Sequence, residues 1–523
     1  MNKLKTLFFL LCLPLVSGAK NYYVATDGND QNPGTEESPF ATLAQAQSVV
    51  APGDTVYIRG GIYKPTEAQL MGVQEDIYSC VFLMDKSGNN ENERICYFGY
   101  PGERPVFDLS EVKPAGMRIS VFYVSGSYLH FKNLEVIHTQ VTITTGNTQS
   151  ECFSNRGGSH NIYENLSMHD GMAIGFYLVK GADNLVLNCD AYMNHDNISN
   201  GGAGGNTDGF GGHPDNAGTG NVFRGCRAWW NSDDGFDLIH ANQAVTIDHC
   251  WAFYNGYQPG TFKSAGDGNG MKAGGYGMNE NSKFPEGEIP MHRVTNCIAY
   301  RNRSAGFYAN HHTGGILWLN NTAYDNRWNY NMVCRKSIEE PVDVPGYGHI
   351  LRNNISYFKE RAEGIHVYQI NESLCEINNN SFLPDELALA DADFISLNEE
   401  LLVSERQADG SLPDIDFLRP TESSSLTENQ MGYTFEAPNY DDDPDGDGLV
   451  GETEWLMQPA IRFKDNQATI EGPDADLFTE HFYINGERVT VRDGVVDLSE
   501  YSGKLELKAT SLEGGIIKLV INK

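Results

Sequence analysis

From about residue 120, apolar and polar positions recur in two interleaved frames. The first is a short strand that opens near Cys or Asn, carries a small residue two places on, and closes on Asn or Asp. It reads Glu164-Asn165-Leu166-Ser167-Met168-His169-Asp170, then Asn188-Cys189-Asp190-Ala191-Tyr192-Met193-Asn194 and Gly225-Cys226-Arg227-Ala228-Trp229-Trp230-Asn231. Further copies begin at His249, Asn296 and Asn320, with a weaker one from Asn353 to Tyr357. This frame stacks Cys189, Cys226, Cys250 and Cys297 in one inward column, where a free thiol serves as a small hydrophobe. The closing Asn or Asp is suited to bonding the turn backbone between strands. The second frame is glycine, a large apolar residue, then a variable one: Gly175-Phe176-Tyr177, Gly209-Phe210-Gly211, Gly235-Phe236-Asp237, Gly270-Met271-Lys272, Gly306-Phe307-Tyr308 and Gly364-Ile365-His366. Side chains alternate along a strand, so the apolar member faces inward and the next residue faces out. The short intervals fit one coil of a right-handed parallel β-helix. Turn insertions account for the longer ones, and the interval from Gly306 to Gly364 hides a coil. Hairpin signals, which a propeller or sandwich needs, are few.

The flanks complete this picture. Asn21 to Ala25 and Thr55 to Ile58 read as strands around a short amphipathic helix in Phe40 to Val50, which would cover the first coil of a solenoid. The repeat fades after about Phe382, and Pro413 to Ser425 is irregular. From about Gln458 short alternating runs such as Leu505 to Ala509 read as a small β domain. The fold predicted is all-β: a right-handed parallel β-helix with an N-terminal capping helix and a small C-terminal β domain. Residues 1–19 would be a signal peptide, 20–415 the β-helix, 416–457 a linker and 458–523 the end domain.

Composition narrows the function. A net charge of −33 argues against nucleic acid, whose phosphates need a basic surface. An anionic partner would need a positive bridge, for which a bound divalent metal is economical. Lys3 and Lys5, the apolar run Leu7 to Val16, and Ser17-Gly18-Ala19 have the form of a secretory signal cleaved near Ala19 or Lys20, so the product is expected to be secreted or periplasmic. No later stretch is long and apolar enough for a membrane span. Export permits disulfides, but setting aside Cys12 leaves an odd number of cysteines, spaced as a column rather than a staple set.

The acids cluster in register. Ser232-Asp233-Asp234-Gly235-Phe236-Asp237 follows Asp208-Gly209-Phe210 and precedes Asn269-Gly270-Met271-Lys272. Superposing the second frame puts Asp208 and Asp234 in one column with Asn269 next, and Asp237 beside Lys272 in the adjacent outward column. Adjacent strands lie roughly 4.8 Å apart, so carboxylates from two coils can surround one hard cation. Calcium tolerates six to eight oxygens in irregular geometry, so Asp208, Asp233, Asp234 and Asp237 suit Ca2+ better than magnesium or zinc. Asp233 or Asp208 alone reads more readily as a solvated turn; the convergence of four acids opposite a glycine-flanked lysine favours the metal. With such a cation on a uronate carboxylate, a base can take the neighbouring C5 proton and the C4–O bond breaks. Lys272 fits the base if a nearby cation lowers its pKa, which implies an alkaline optimum.

Asn206 to Phe210, Asn221 to Ala228, Asn231 to Asp237 and Gly268 to Lys272 resemble the core motifs of the family 9 polysaccharide lyases, pectate and rhamnogalacturonan lyases built on a right-handed parallel β-helix. The segment Tyr22 to Tyr63 resembles their opening. The resemblance spans about residues 20 to 400. It implies that Asp208, Asp233, Asp234 and Asp237 bind calcium and that Lys272 is the Brønsted base acting on an acidic pectic polysaccharide. His213 lies outside the shared pattern. Two alternatives remain from the residues alone: a glycoside hydrolase using Asp233 and Asp234, or a non-catalytic glycan-binding solenoid. Tyr308, His311, His312, Arg301, Arg303 and Trp318 are candidates for sugar subsites, each with core or turn filling as the plainer reading. Asp443, Asp445, Asp447 and Glu454 match an EF-hand-like loop, a second possible calcium site or else a solvated acidic linker.

Overall fold

The computed structural model describes residues 18–435 apart from 147, 277–288 and 362, and residues 460–522 apart from 465, 472–481, 490, 492–494 and 511–515. The expected signal sequence as far as Ser17 and the acidic loop with Asp443, Asp445, Asp447 and Glu454 lie outside the described residues. The chain divides into two compact units, Met1–Phe435 and Glu436–Lys523.

The first unit is the parallel β-helix. Each coil gives one strand to each of three sheets, which hold 12, 10 and 11 strands among the described residues. The two frames are two of these faces. The Cys and Asn frame forms the second sheet, from Gly61–Tyr63 to Ile355–Tyr357, and the glycine frame forms the third. Inside the third sheet Phe82, Phe122, Phe153, Phe176, Phe210, Phe236, Met271, Phe307 and Tyr330 lie on successive rungs. Phe122 stacks on Phe153 at 4.3 Å and Phe210 on Phe236 at 4.9 Å, so each coil buries its ring against the next. The glycine before each ring is a close-approach position. A Cβ on Gly209 or Gly235 would lie 2.7 Å from the carbonyl oxygen of the next coil's glycine. The coil hidden between Gly306 and Gly364 is Trp328–Asn331. The last copy is displaced: Val367, not Ile365, pairs with Tyr330, and Gly364 packs against the Phe358 ring in a turn.

Between the first and second sheets the chain turns on one left-handed residue. Asn165, Asn188, Gly225, His249, Asn296, Asn320 and Asn353 all have φ between +49° and +64°. Asn tolerates that region better than most residues, which explains its recurrence. The Cys column follows directly. Cys189, Cys226, Cys250 and Cys297 are buried, unbridged thiols, with the Cys226 amide donating to Cys250 Sγ at 3.4 Å. Beyond Cys297 the column continues as Asn321, Asn354 and Asn380, each accepting the preceding member's amide. The closing asparagines form a second ladder through Asn194, Asn231, Asn255, Asn302 and Asn326. The copy at Glu164 slips by one: Met168 pairs with Ala191, so Asp170 aligns with Met193 rather than with Asn194.

The helix Leu43–Val49 buries Leu43 and Ala46 at the N-terminal end, with the Thr42 hydroxyl accepting from the Gln45 amide. The expected linker from residue 416 needs correction over its first part. Phe417, Leu418, Leu426, Met431 and Tyr433 are buried with Leu402 and Phe394 against an outward aromatic row of the second sheet. In that row Tyr192 stacks on Trp229 at 4.2 Å and Tyr300 on Tyr324 at 5.1 Å, and Phe417 sits across Tyr300 at 5.3 Å. Arg227 and Arg406 converge on Asp190 from the sheet and from the covering segment. The second unit is antiparallel, with a three-stranded and a four-stranded sheet around Phe482, Ile484, Val496, Leu505 and Leu507.

Candidate active site

The third sheet faces out with one residue per rung: Tyr177, Gly211, Asp237, Lys272, Tyr308, Asn331 and Tyr368. Lys272 Nζ is 3.0 Å from Asp234 Oδ2 and 3.0 Å from Asp237 Oδ2. Asp208, one coil earlier, accepts the Asp234 amide at 3.0 Å. Asn269, one coil later, donates its side-chain amide to Asp234 Oδ1 at 2.9 Å. Asp208, Asp234 and Asn269 thus share a column, and Asp237 and Lys272 share the next. Asp233 turns away, with its two oxygens accepting the amides of Asn206 at 2.6 Å and Asp267 at 2.5 Å.

Charge in the cluster is unbalanced. Asp208, Asp233, Asp234 and Asp237 are all buried, and Lys272 is the ammonium among them. Burial raises the Asp208, Asp233 and Asp234 pKa values, and neighbouring acids add to it; Asp234 is pushed up to about 8. Burial disfavours charge on Lys272, but Asp234, Asp237, Asp208 and Asp233 outweigh it and hold the lysine well above its usual value. Asp208, Asp234 and Asp237 offer oxygens within 4.8 Å of one another, and so do Asp233, Asp234 and Asp267. Three buried carboxylates, Asp208, Asp234 and Asp237, gathered around one ammonium are costly, and a hard divalent cation would offset that cost. The donor set therefore fits calcium. Asp267, which the sequence did not single out, belongs to this acid cluster; its only signal was its position in the loop just before Asn269.

The subsite candidates separate. Tyr308, His311 and Arg303 line a cleft of about 440 Å³ with Asn269, Trp328 and Tyr368. Trp318 is fully buried against Phe307, and His312 is fully buried with Nε2 at 2.7 Å from the Pro290 carbonyl oxygen. Arg301 pairs with Glu360 and Glu399, away from Lys272. These three are not on the outward row; each faces the core or another sheet. His213 is half-buried beside that row, bonding the Tyr177 hydroxyl at 3.1 Å and the Asp237 carbonyl at 3.1 Å. Burial lowers its pKa to about 4, so it acts as a neutral brace for both residues.

Residues 22–382 match the family model described as Pel9A-like, right handed beta helix region. Residues 371–518 match one described as Rhamnogalacturonan lyase-like, C-terminal. Pectate lyase L of Dickeya dadantii (strain 3937) is 33% identical over 434 residues, covering 81% of this chain and 90% of the relative. Pectate lyase PEL9 of Emericella nidulans is 29% identical, covering 80% and 96%. Among solved structures, a rhamnogalacturonan lyase superposes with a TM-score of 0.76 at 50% identity, covering 79% of this chain and 99% of that one. The crystal structure of pectate lyase Pel9A gives 0.61 at 32% identity, covering 78% and 91%.

Proposed function

The chain belongs to the Pel9A-like right-handed β-helix family of polysaccharide lyases, and on that footing we propose that it is a secreted, calcium-dependent lyase cleaving a galacturonate-containing pectic backbone by β-elimination. The observation carrying this reading is Lys272: a buried lysine on the outward row, hydrogen-bonded to Asp237 and ion-paired with Asp234 in an acid cluster. Asp208, Asp233, Asp234 and Asp237 would hold the cation. Calcium there would neutralise the substrate carboxylate and favour charge developing beside it. Lys272 Nζ takes the C5 proton. The C5–H electrons form the C4–C5 double bond, and the C4–O bond breaks toward the leaving sugar. That oxygen takes a proton from solvent. Lys272 performs this only when neutral, and in the bare cluster its acids hold it charged. Engaging Asp234 and Asp237 as ligands withdraws those two anions from the ammonium, so turnover should rise toward alkaline pH.

The hydrolase alternative is disfavoured. An inverting pair needs roughly 6.5–9.5 Å between carboxyls to admit water. Asp233 and Asp234 offer oxygens within 4.8 Å, and Asp233 is capped by two backbone amides. The test is Lys272→Ala. Turnover should fall by about 10²- to 10⁴-fold, the usual contribution of a positioned base. Calcium binding by calorimetry should persist. Near-normal turnover would remove Lys272 from the chemistry.

A further inference from the structure

On the N-terminal side of Lys272 the outward row runs back through Asp237 and Gly211 to Tyr177 and Ser154. Three rungs separate Tyr177 from the lysine, about 14 Å at roughly 4.8 Å per strand. Gly211 keeps this stretch flat, since a Cβ there would lie 2.5 Å from the Tyr177 ring. Arg156 follows Ser154 on the same strand. The register shifts between Asn155 and Arg156, an irregularity of the kind that re-aims a side chain. The guanidinium lies 5.5 Å from the centre of the Tyr177 ring and 4.2 Å from that of Tyr78. A glycan leading from the acid cluster over the Tyr177 ring therefore meets a permanent positive charge.

The protein leaves this arginine incompletely matched. Glu151, which is fully buried, pairs with it from one side. Arg156 Nε, Glu151 Oε2 and the neighbouring Arg118 Nε are nonetheless buried without a hydrogen-bond partner, and such atoms point to a missing one. Burial raises the Glu151 pKa despite the guanidinium beside it. On the solvent side stands Glu75, whose side chain is 46% exposed. Its Oε2 is 3.5 Å from Arg156 Nη1, a long contact, and its Oε1 accepts from the Tyr123 hydroxyl at 3.1 Å. Glu75 sits in the turn joining Gly72–Gln74 to Tyr78–Met84. Glu75 and Asp76 both take left-handed backbone there, at φ +51° and +58°, a pairing that favours glycine and asparagine. A strained turn thus holds a weakly attached carboxylate over a guanidinium, on the path of an acidic polymer.

On the lyase reading above, we infer that Arg156 is a second carboxylate-recognition site, binding a uronate a few sugars from the cleaved one on the Tyr177 side, and that the Glu75 carboxylate is a stand-in which this uronate displaces. The uronate takes over the contacts of Glu75 with Arg156 and the Tyr123 hydroxyl, which the two oxygens of one carboxylate satisfy together. Arg156 is remote from the scissile bond, so it acts on affinity rather than on the chemical step. The Glu75 contact taxes that affinity, because only the displaced fraction binds.

The experiment measures KM and kcat for unsaturated product from polygalacturonate and from debranched rhamnogalacturonan, using the full chain with calcium. On whichever polymer the wild type cuts, Glu75→Gln should lower KM by about two- to fivefold, the scale of one part-exposed ion pair. Replacing Arg156 alone would strand the buried Glu151 charge, so Arg156→Gln is combined with Glu151→Gln. The double variant should raise KM by about tenfold or more, the scale of one charge-assisted hydrogen bond, with a smaller change in kcat. Glu75→Gln with KM unmoved or raised overturns the inference while leaving the lyase reading intact, and it decides alone if the double variant fails to fold. A folded double variant with wild-type KM overturns the inference as well. No unsaturated product from either polymer overturns the lyase reading and this inference with it.

Discussion

The acids and the lysine were legible because they lie within the repeat. Once Phe210, Phe236 and Met271 are aligned, the positions of Asp208, Asp234, Asp237 and Lys272 follow from strand alternation alone. Asp267 was harder, and Arg303 was legible only as one of several subsite candidates. Asp267 sits on an inserted loop whose length obeys no period, and Arg303 is at a turn. Their roles come from backbone contacts: Asp267 through its amide on Asp233, Arg303 through the Gly266 and Asp267 carbonyls. The same residues set a pH dependence. Asp234 has a folded pKa of about 8 against an ordinary 3.8, so the calcium-free fold keeps a proton that the unfolded chain releases. Stability conferred by that proton is present at low pH and lost as pH rises toward 8. Buried His312 and half-buried His213 are depressed to about 4 from 6.5, so their contribution is present above 6.5 and lost as pH falls toward 4. The windows overlap from about pH 4 to 6.5, where two histidines outweigh one aspartate, and above 6.5 only the Asp234 loss remains, so chelated protein should melt highest near pH 6.5. Added calcium should raise Tm more at pH 8 than at pH 5, since protons and metal compete for Asp234. Equal calcium shifts at both values would contradict this origin.

At the scale of the element, the strands are only two to seven residues long, and lateral ladders hold them together. The Cys column was visible in sequence because one residue type repeats. Its continuation into Asn321, Asn354 and Asn380 was not, since an apolar and a polar side chain fill the same inward position. Asn302 shows what a rung contributes. Its side chain donates to the Ala252 carbonyl and to Asn326, and accepts from the Asn255 amide and side chain. All of these groups are buried, so Asn302→Ala would leave several of them unpaired, each costing about 1–3 kcal/mol. Urea denaturation should show a loss of about 3 kcal/mol or more. A loss below about 1 kcal/mol would mean that water replaces the rung.

At the scale of the whole molecule, the frames carried the helix, its handedness and its hidden coil, but not the segment after Phe382. That stretch lacks periodicity because its shape is set by what it covers. The outward row Tyr192, Trp229, Phe253, Tyr300, Tyr324 and Tyr357 needs burial, and Phe417, Leu402 and Phe394 provide it, pinned by Arg406 on Asp190. A net charge of −33 surrounds this scaffold, so an acidic polymer needs a local positive site to approach, and the carboxylate cluster supplies one only with a cation bound. The decisive measurement is the chemistry of the new chain ends when the full protein acts on a pectic backbone, with calcium and again with chelator. The expected result is ultraviolet absorbance from an unsaturated uronate at each new non-reducing end, abolished by chelation and restored by calcium. New reducing ends without that absorbance, or cleavage indifferent to chelation, would contradict β-elimination by Lys272 beside a calcium cluster.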